Sequence, residues 1–214
     1  MGLKKKSKTS KIGKRNIYQR RFEDTREQKQ SILIYCEGVN TEPSYFKQFE
    51  LSTATIKVDS NGESTIGLVE AAISFKATGK YDQIWCVFDM DGNGKKNFNR
   101  AIELANQNGL GVAYSNQGFE YWLLLHLIDH QGQKMHRKDY QKRINKELKE
   151  SNITYNWDDR KLIEKEFFDV LYKQTELAIV RAERIYNRLD HKNLAKGESS
   201  TTVFMLVREI LRYI

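Results

Sequence analysis

Two acidic segments of the sequence have residue types and positions suited to binding a metal ion. Glu37 ends the apolar run ILIYC, and Asp89 and Asp91 follow the apolar run QIWCVF, within VFDMDGNG. Carboxylates brought together repel one another, and burial adds to the cost of keeping them charged. A hard divalent cation removes this cost, because Mg²⁺ binds oxygen ligands and Mn²⁺ accepts the same ones. If the two segments are neighbours in the fold, we expect a three-carboxylate Mg²⁺ or Mn²⁺ site.

The DMDGNG sequence by itself also fits two other structures. Its pattern matches the first half of an EF-hand calcium loop. The closing position of that loop would be Arg100, where calcium binding requires a bidentate glutamate. Asp, Asn and Gly after a strand also commonly form a simple turn. Glu37 at the end of a second strand favours the metal site, since neither alternative needs it.

The elements expected around these acids place them at one edge of a sheet. The apolar runs at 32–38 and 83–89 predict strands buried on both faces, and shorter strand patterns lie at 55–60 and 110–116. Helical patterns separate these strands, and the alternation indicates βαβ units with a mostly parallel sheet. Ligands of such sheets bind beyond the carboxyl ends of the strands, which is where the acids lie.

The pattern divides the chain into three parts. Residues 1–30 form a basic tail that is expected to be disordered, 31–132 an α/β core, and 133–214 a helical extension packed on that core. Segments such as HRKDYQKRINKELKE and STTVFMLVREILRYI have helical patterns, with no buried strand between them. A chain of 214 residues suits one domain with a proper core.

Positive charge is concentrated at the N-terminus. The chain has a formal net charge of +8, and residues 1–22 contain nine cationic residues and no acidic one. These residues are Lys4, Lys5, Lys6, Lys8, Lys11, Lys14, Arg15, Arg20 and Arg21. The tail is either a solvated leader or a phosphate-binding arm that gains affinity by releasing counterions. The rest of the chain is near neutral, so its total charge gives no argument for nucleic-acid binding.

Several features indicate a cytoplasmic protein that does not enter a membrane. No apolar run approaches the roughly 18 residues of a membrane span, and the lysine-rich N-terminus lacks the apolar segment of a secretory signal. The two cysteines, Cys36 and Cys86, lie in separate apolar runs and are expected to be reduced and buried. No GxxxxGK[ST] motif occurs, which argues against ATP hydrolysis by this chain.

A family resemblance lies in four segments: ILIYCEGVNTEPSYF, YDQIWCVFDMD, SNQGFEYWLLLHL and STTVFMLV. A strand ending in Glu-Gly, followed by a strand ending in DxD, resembles the Toprim domain of topoisomerases, primases and OLD-type nucleases. The full set resembles the RloB-like family from about residue 31 to the C-terminus. This resemblance implies a Toprim-like core, a place in bacterial restriction or abortive-infection loci, and an ATPase partner. Gln117 departs from the pattern, which usually has a proline there.

The resemblance also implies roles for single residues. Glu37 matches the Toprim glutamate, a metal ligand and candidate general acid or base, and Asp89 and Asp91 match the DxD metal ligands. Glu42 and Glu120 lie in segments of the family pattern and are candidates to bind a second metal or to organise the first. Both also suit helix N-termini, where an acid is favoured by the helix dipole without any further role.

The expected activity is metal-dependent cleavage of phosphodiester bonds in nucleic acid, either DNA or RNA, including tRNA. Lys95, Lys96 and the basic tail are candidates to contact phosphate groups, although exposed loop lysines often have no such role. The resemblance implies an anti-phage effector that works with an ATPase. The alternative is a non-catalytic subunit that binds nucleic acid or an ATPase and retains the fold. The sequence is also compatible with a homo-oligomer.

Overall fold

A computed structural model describes residues 29–60, 62, 64–90, 94–156 and 161–214. These residues form strands β1 (Gln30–Cys36), β2 (Ala54–Ser60), β3 (Gln83–Asp89) and β4 (Gly111–Ser115). The helices are α1 (Thr41–Phe46), α2 (Thr65–Ala77), α3 (Gly94–Gln107), α4 (Glu120–Leu127), α5 (Arg137–Leu148), α6 (Lys165–Tyr172), α7 (Thr175–Tyr186) and α8 (Val203–Leu211).

The four strands form one parallel sheet in the order β2-β1-β3-β4. Each of the first three strands is followed by a helix that crosses to the next strand, as parallel pairing requires. The predicted α/β fold with a parallel sheet and flanking helices is therefore confirmed, and it is consistent with a Toprim-like core. Because β1 and β3 are neighbours and Cys36 pairs with Val87, the residues that follow both strands meet at one edge.

The continuous apolar sequence of β1 is explained by burial on both faces. Ile32, Ile34 and Cys36 point into one hydrophobic cluster, whereas Leu33 and Tyr35 point into another on the opposite face of the sheet. A central parallel strand covered on both faces shows such an apolar run instead of alternation. This double burial fixes the register of β1, and with it the position of the acid that follows the strand.

Helices cover the two faces of the sheet unequally. Apolar residues of α2 and α3 fill one cluster, while the larger cluster contains residues of α1, α4 and all four helices that follow α4. Helix α4 is buried from Glu120 to His126, as its dense apolar sequence predicts. Its first residue therefore enters the protein interior instead of facing solvent.

A short segment before α8 lies against β4. Thr202 N–H donates a hydrogen bond to Tyr114 O at 2.9 Å, and Ser115 forms an isolated antiparallel bridge with Thr201. Ser115 is also the register partner of Asp89. Consecutive serines and threonines have no apolar strand pattern, so this pairing could not be expected from the sequence. It supports the end of β4, next to the strand end that bears Asp89.

Two simpler expectations concern cysteines and membranes. Cys36 and Cys86 are both free and buried, and burial raises the pKa of both thiols, so they pack as small apolar side chains. None of the helices in the described ranges combines the length and the apolar character needed to cross a bilayer.

His126 makes folding sensitive to acid. Burial lowers the pKa of its imidazole to about 4, and Nδ1 lies 2.9 Å from Trp122 O, so Nδ1 carries the proton. The unfolded chain binds this proton at a higher pH than the folded protein, so stability falls as pH drops below the ordinary histidine pKa. We expect the free energy of unfolding to fall by about 2 kcal/mol from this group between about pH 7 and about pH 5.

Urea denaturation at the two pH values measures this effect. His126→Gln keeps a polar side chain that does not titrate and should lose this part of the pH dependence. His191→Gln removes an exposed histidine and is the matched control. An equal pH dependence for wild type and His126→Gln would contradict the assignment.

Candidate functional site

A pocket of about 280 Å³ opens at the carboxyl end of the sheet, where β1 and β3 end. Its lining includes the carboxylates of Glu37, Glu42, Asp89 and Glu120 and the cationic residues Arg137 and Lys161. The acids come from the ends of two strands and from the first turns of two short helices. The pocket thus gathers four of the five carboxylates singled out in the sequence.

Glu37 and Asp89 are joined by the sheet itself. Glu37 N–H donates to Val87 O at 2.9 Å, which extends the ladder between β1 and β3 by one residue. Asp89 N–H in turn donates to Glu37 Oε2 at 3.3 Å. The hydroxyl of Thr65, the first residue of α2, donates to Glu37 Oε1 at 3.0 Å. These bonds fix the Glu37 carboxylate next to the backbone of Asp89.

The turn between β4 and α4 fixes the side chain of Asp89. Phe119 N–H, just before α4, donates to Asp89 Oδ2 at 3.2 Å. Gln117, in the same turn, has φ of 76°, a left-handed conformation that the ring of proline forbids. A proline at this position would therefore require a different turn.

Glu42 lies deep in the pocket wall, in the first turn of α1. Burial raises the pKa of its carboxyl group to about 7, while its own backbone N–H favours the charged form. A Cβ added at Gly38 would lie 2.2 Å from Glu42 Oε2, so the carboxylate packs directly on the glycine. A larger residue at Gly38 would therefore force the Glu42 carboxylate to move.

Glu120 is almost fully buried at the first position of α4. Burial raises the pKa of its carboxyl group, and the nearby guanidinium of Arg137 opposes that rise. Tyr155 O–H donates to Glu120 Oε1 at 3.3 Å. Glu120 Oε2 is buried without a hydrogen-bond partner among the described residues. Glu42 and Glu120 both lie at helix N-termini, where the helix dipole alone favours an acid, and both line the pocket.

Arg137 is a pocket residue that the sequence did not single out. Its guanidinium lies between two acids, with Nη2 3.8 Å from Asp89 Oδ2 and Nε 3.9 Å from Glu120 Oε2. It is the first residue of α5 and belongs to the predicted helical extension. Nothing in HRKDYQKR distinguishes it from its basic neighbours, because only the fold brings it beside Asp89. Tyr155 and Lys161 were missed for the same reason.

The pocket contains oxygen donors of the type that a hard divalent cation binds. Glu37 and Asp89 offer carboxylate oxygens from adjacent strand ends, and Glu120 Oε2 is a buried oxygen without a hydrogen bond from any described residue. Within the described ranges, no group of three or more His, Cys, Asp or Glu side chains is arranged to hold a metal ion. Asp91, the third expected ligand, lies outside the described residues. Arg137 supplies positive charge among the acids in this arrangement.

The other predicted phosphate-binding residues lie elsewhere. Lys95 and Lys96 are exposed in the first turn of α3, and they are not among the residues that line the pocket. Arg100 lies in the same helix, and the acids follow a strand, so the surrounding elements differ from the helix–loop–helix of an EF-hand. All nine cationic residues of the predicted tail lie outside the described residues.

Comparison with known proteins gives one match. Residues 32–210 match the sequence profile of the family described as RloB-like protein. No curated protein and no solved structure matches the chain significantly. The matched range includes all four strands from their apolar centres onward, the four pocket acids and Arg137. The match spans most of the 214 residues, and the chain therefore belongs to the RloB-like family.

Proposed function

We propose that this protein is a divalent-metal-dependent nuclease that cleaves phosphodiester bonds of nucleic acid. The observation that supports it is the placement of Glu37 and Asp89 at the ends of adjacent parallel strands, in one pocket with two further buried acids. A purely structural role gives no reason to gather four carboxylates, since their mutual repulsion and burial both cost free energy. A cation and a phosphate group together offset that cost.

The acids of the site and the groups that hydrogen-bond to them have defined roles in this proposal. Glu37 and Asp89, with Asp91, would hold Mg²⁺ or Mn²⁺. When bound, the ion polarises a phosphoryl oxygen and activates water. Thr65 and the N–H of Phe119 orient the two ligands through hydrogen bonds to their carboxylates. Glu42 and Glu120 would support the first metal position or form a second one.

The test is a cleavage assay on DNA, RNA and tRNA with Mg²⁺, Mn²⁺ or a chelator. Wild type should cleave at least one of these polymers only when metal is present. Glu37→Ala and Asp89→Ala should remove cleavage, with circular dichroism showing that both variants are folded. Equal cleavage by wild type and both variants would overturn the site assignment.

A second candidate function is a non-catalytic subunit that binds nucleic acid or an ATPase. The ion pairs of Arg137 favour it, since a guanidinium can balance the pocket acids without any metal. Thermal unfolding separates the two functions. Metal that binds only the folded protein raises the midpoint temperature of unfolding. A metal concentration of a hundred times Kd adds about 2.7 kcal/mol to the free energy of unfolding. No metal-induced rise, together with no cleavage of any polymer, would favour the subunit.

Membership of the RloB-like family also motivates a biological proposal. We propose that the protein acts in the bacterial cytoplasm as an anti-phage effector and works with an ATPase supplied by a partner chain. Phage challenge of bacteria expressing wild type or Asp89→Ala, each with and without the partner, tests this role. Equal plaque counts in all four strains would contradict it.

A further inference from the structure

Helix α5 has an apolar face and an opposite face that is rich in lysine. Tyr140, Ile144 and Leu148 are buried. At about 100° per residue, the side opposite these three is occupied by residues 138, 139, 142, 146 and 149, within an arc of about 100°. Four of them are the exposed residues Lys138, Lys142, Lys146 and Lys149, here termed the lysine row, of which Lys149 directly follows the last residue of α5. The fifth is the exposed Asp139.

The lysine row follows a pocket residue in the sequence. Arg137, the residue before Lys138, enters the pocket beside Asp89 and Glu120. From Lys138 to Lys149 the row extends about 16 Å along the helix, at about 1.5 Å per residue. At about 100° per residue, Arg137 lies on the buried side of the helix, so the pocket and the line of exposed positive charge are on different sides of the same helix.

Acidic residues of α5 leave most of this charge uncompensated. Glu147 pairs with Arg143 at 3.1 Å, and Arg143 lies outside the row. Asp139 lies 3.9 Å from Lys142, and both side chains are exposed, so this pair contributes little. The other three lysines of the row form no ion pair with any described residue.

We propose that the lysine row binds the phosphodiester backbone of a nucleic acid whose cleaved bond lies in the pocket. This inference rests on the proposed nuclease function and names a substrate-binding surface for the same site. The length of the row favours a polymer, since several phosphates in series can contact lysines spread over about 16 Å, which a single nucleotide cannot. The near-neutral total charge of the chain outside its basic tail conceals this local concentration.

A triple variant tests the proposal by binding alone. Lys138→Gln, Lys142→Gln and Lys146→Gln are combined in the full-length chain, and glutamine keeps a helix-forming side chain of similar length. The matched control combines Lys80→Gln, Lys173→Gln and Lys192→Gln, which removes three exposed lysines outside α5. Fluorescence anisotropy with a labelled RNA oligonucleotide and a labelled DNA duplex, in a chelator, measures Kd over a salt series.

We expect the lysine-row variant to bind about 10- to 100-fold more weakly than wild type, and its plot of log K against log salt to be shallower by about 2 to 3. The control should stay close to wild type. Equal weakening in both triple variants, or in neither, would overturn the proposal. Binding that depends on the row without metal-dependent cleavage would support the surface and contradict the nuclease. Metal-dependent cleavage by wild type, with unchanged binding in the lysine-row variant, would support the nuclease and contradict the binding surface.

Discussion

Asp89→Asn should slow metal-dependent cleavage of nucleic acid by about 1,000-fold or more, because a metal ligand supplies several kcal/mol of transition-state stabilisation. Asparagine has nearly the same shape, and its amide oxygen can still accept the hydrogen bond from Phe119 N–H. It lacks the negative charge that holds a divalent cation. Glu37→Gln should slow cleavage to a similar extent, because it also loses a negative charge. Glu37 Oε1 and Oε2 each accept a hydrogen bond, and an amide group can accept only one of the two.

The comparison needs a control that loses one carboxylate elsewhere. Asp169→Asn changes an exposed acid of α6 whose ion pair is with Lys165. It should cleave like wild type, because Asp169 is not among the residues that line the pocket. Single-turnover rates at saturating metal are the measurement, because they separate chemistry from product release. Asp89→Asn with the rate of Asp169→Asn would remove Asp89 from the proposed site.

The pairing of Glu37 with Asp89 could be predicted because both acids end strands that the sequence marks clearly. β1 and β3 are short apolar runs with burial on both faces, and parallel strands bring their carboxyl ends to one edge. Helix α4 was recognisable for the same reason, since its continuous apolar sequence requires burial. Glu120 therefore enters the pocket with the helix that begins at it.

The remainder of the site depends on tertiary contacts that leave no local pattern. Arg137 and Tyr155 reach Glu120 from the helical extension, and Thr201 pairs with Ser115 from further along the chain. No periodicity or motif distinguishes these residues from neighbours of the same type. The lysine row was hidden for a different reason, because a net charge averages over surfaces. The positions on α5 become informative only once its buried face is known.

Arg137→Gln should strengthen metal binding but slow cleavage. Its guanidinium lies within 4 Å of Asp89 Oδ2, so it repels a cation that approaches the same oxygen. Without it, the metal concentration for half-maximal activity should fall about tenfold, given partial exposure and screening. Cleavage at saturating metal should nevertheless slow about 100-fold, since a charge beside the phosphate is lost.

The stability of the metal-free protein gives an independent readout for Arg137. Glu120 is buried, and removing the charge that opposes the rise in its carboxyl pKa should lower the free energy of unfolding by about 1 to 2 kcal/mol near neutral pH. Saturating metal should restore part of this loss in the variant. Arg188→Gln removes an exposed arginine and should show neither effect. Weaker metal binding in Arg137→Gln would contradict the expected repulsion. It would show that Arg137 positions the acidic metal ligands instead of competing with the metal for them.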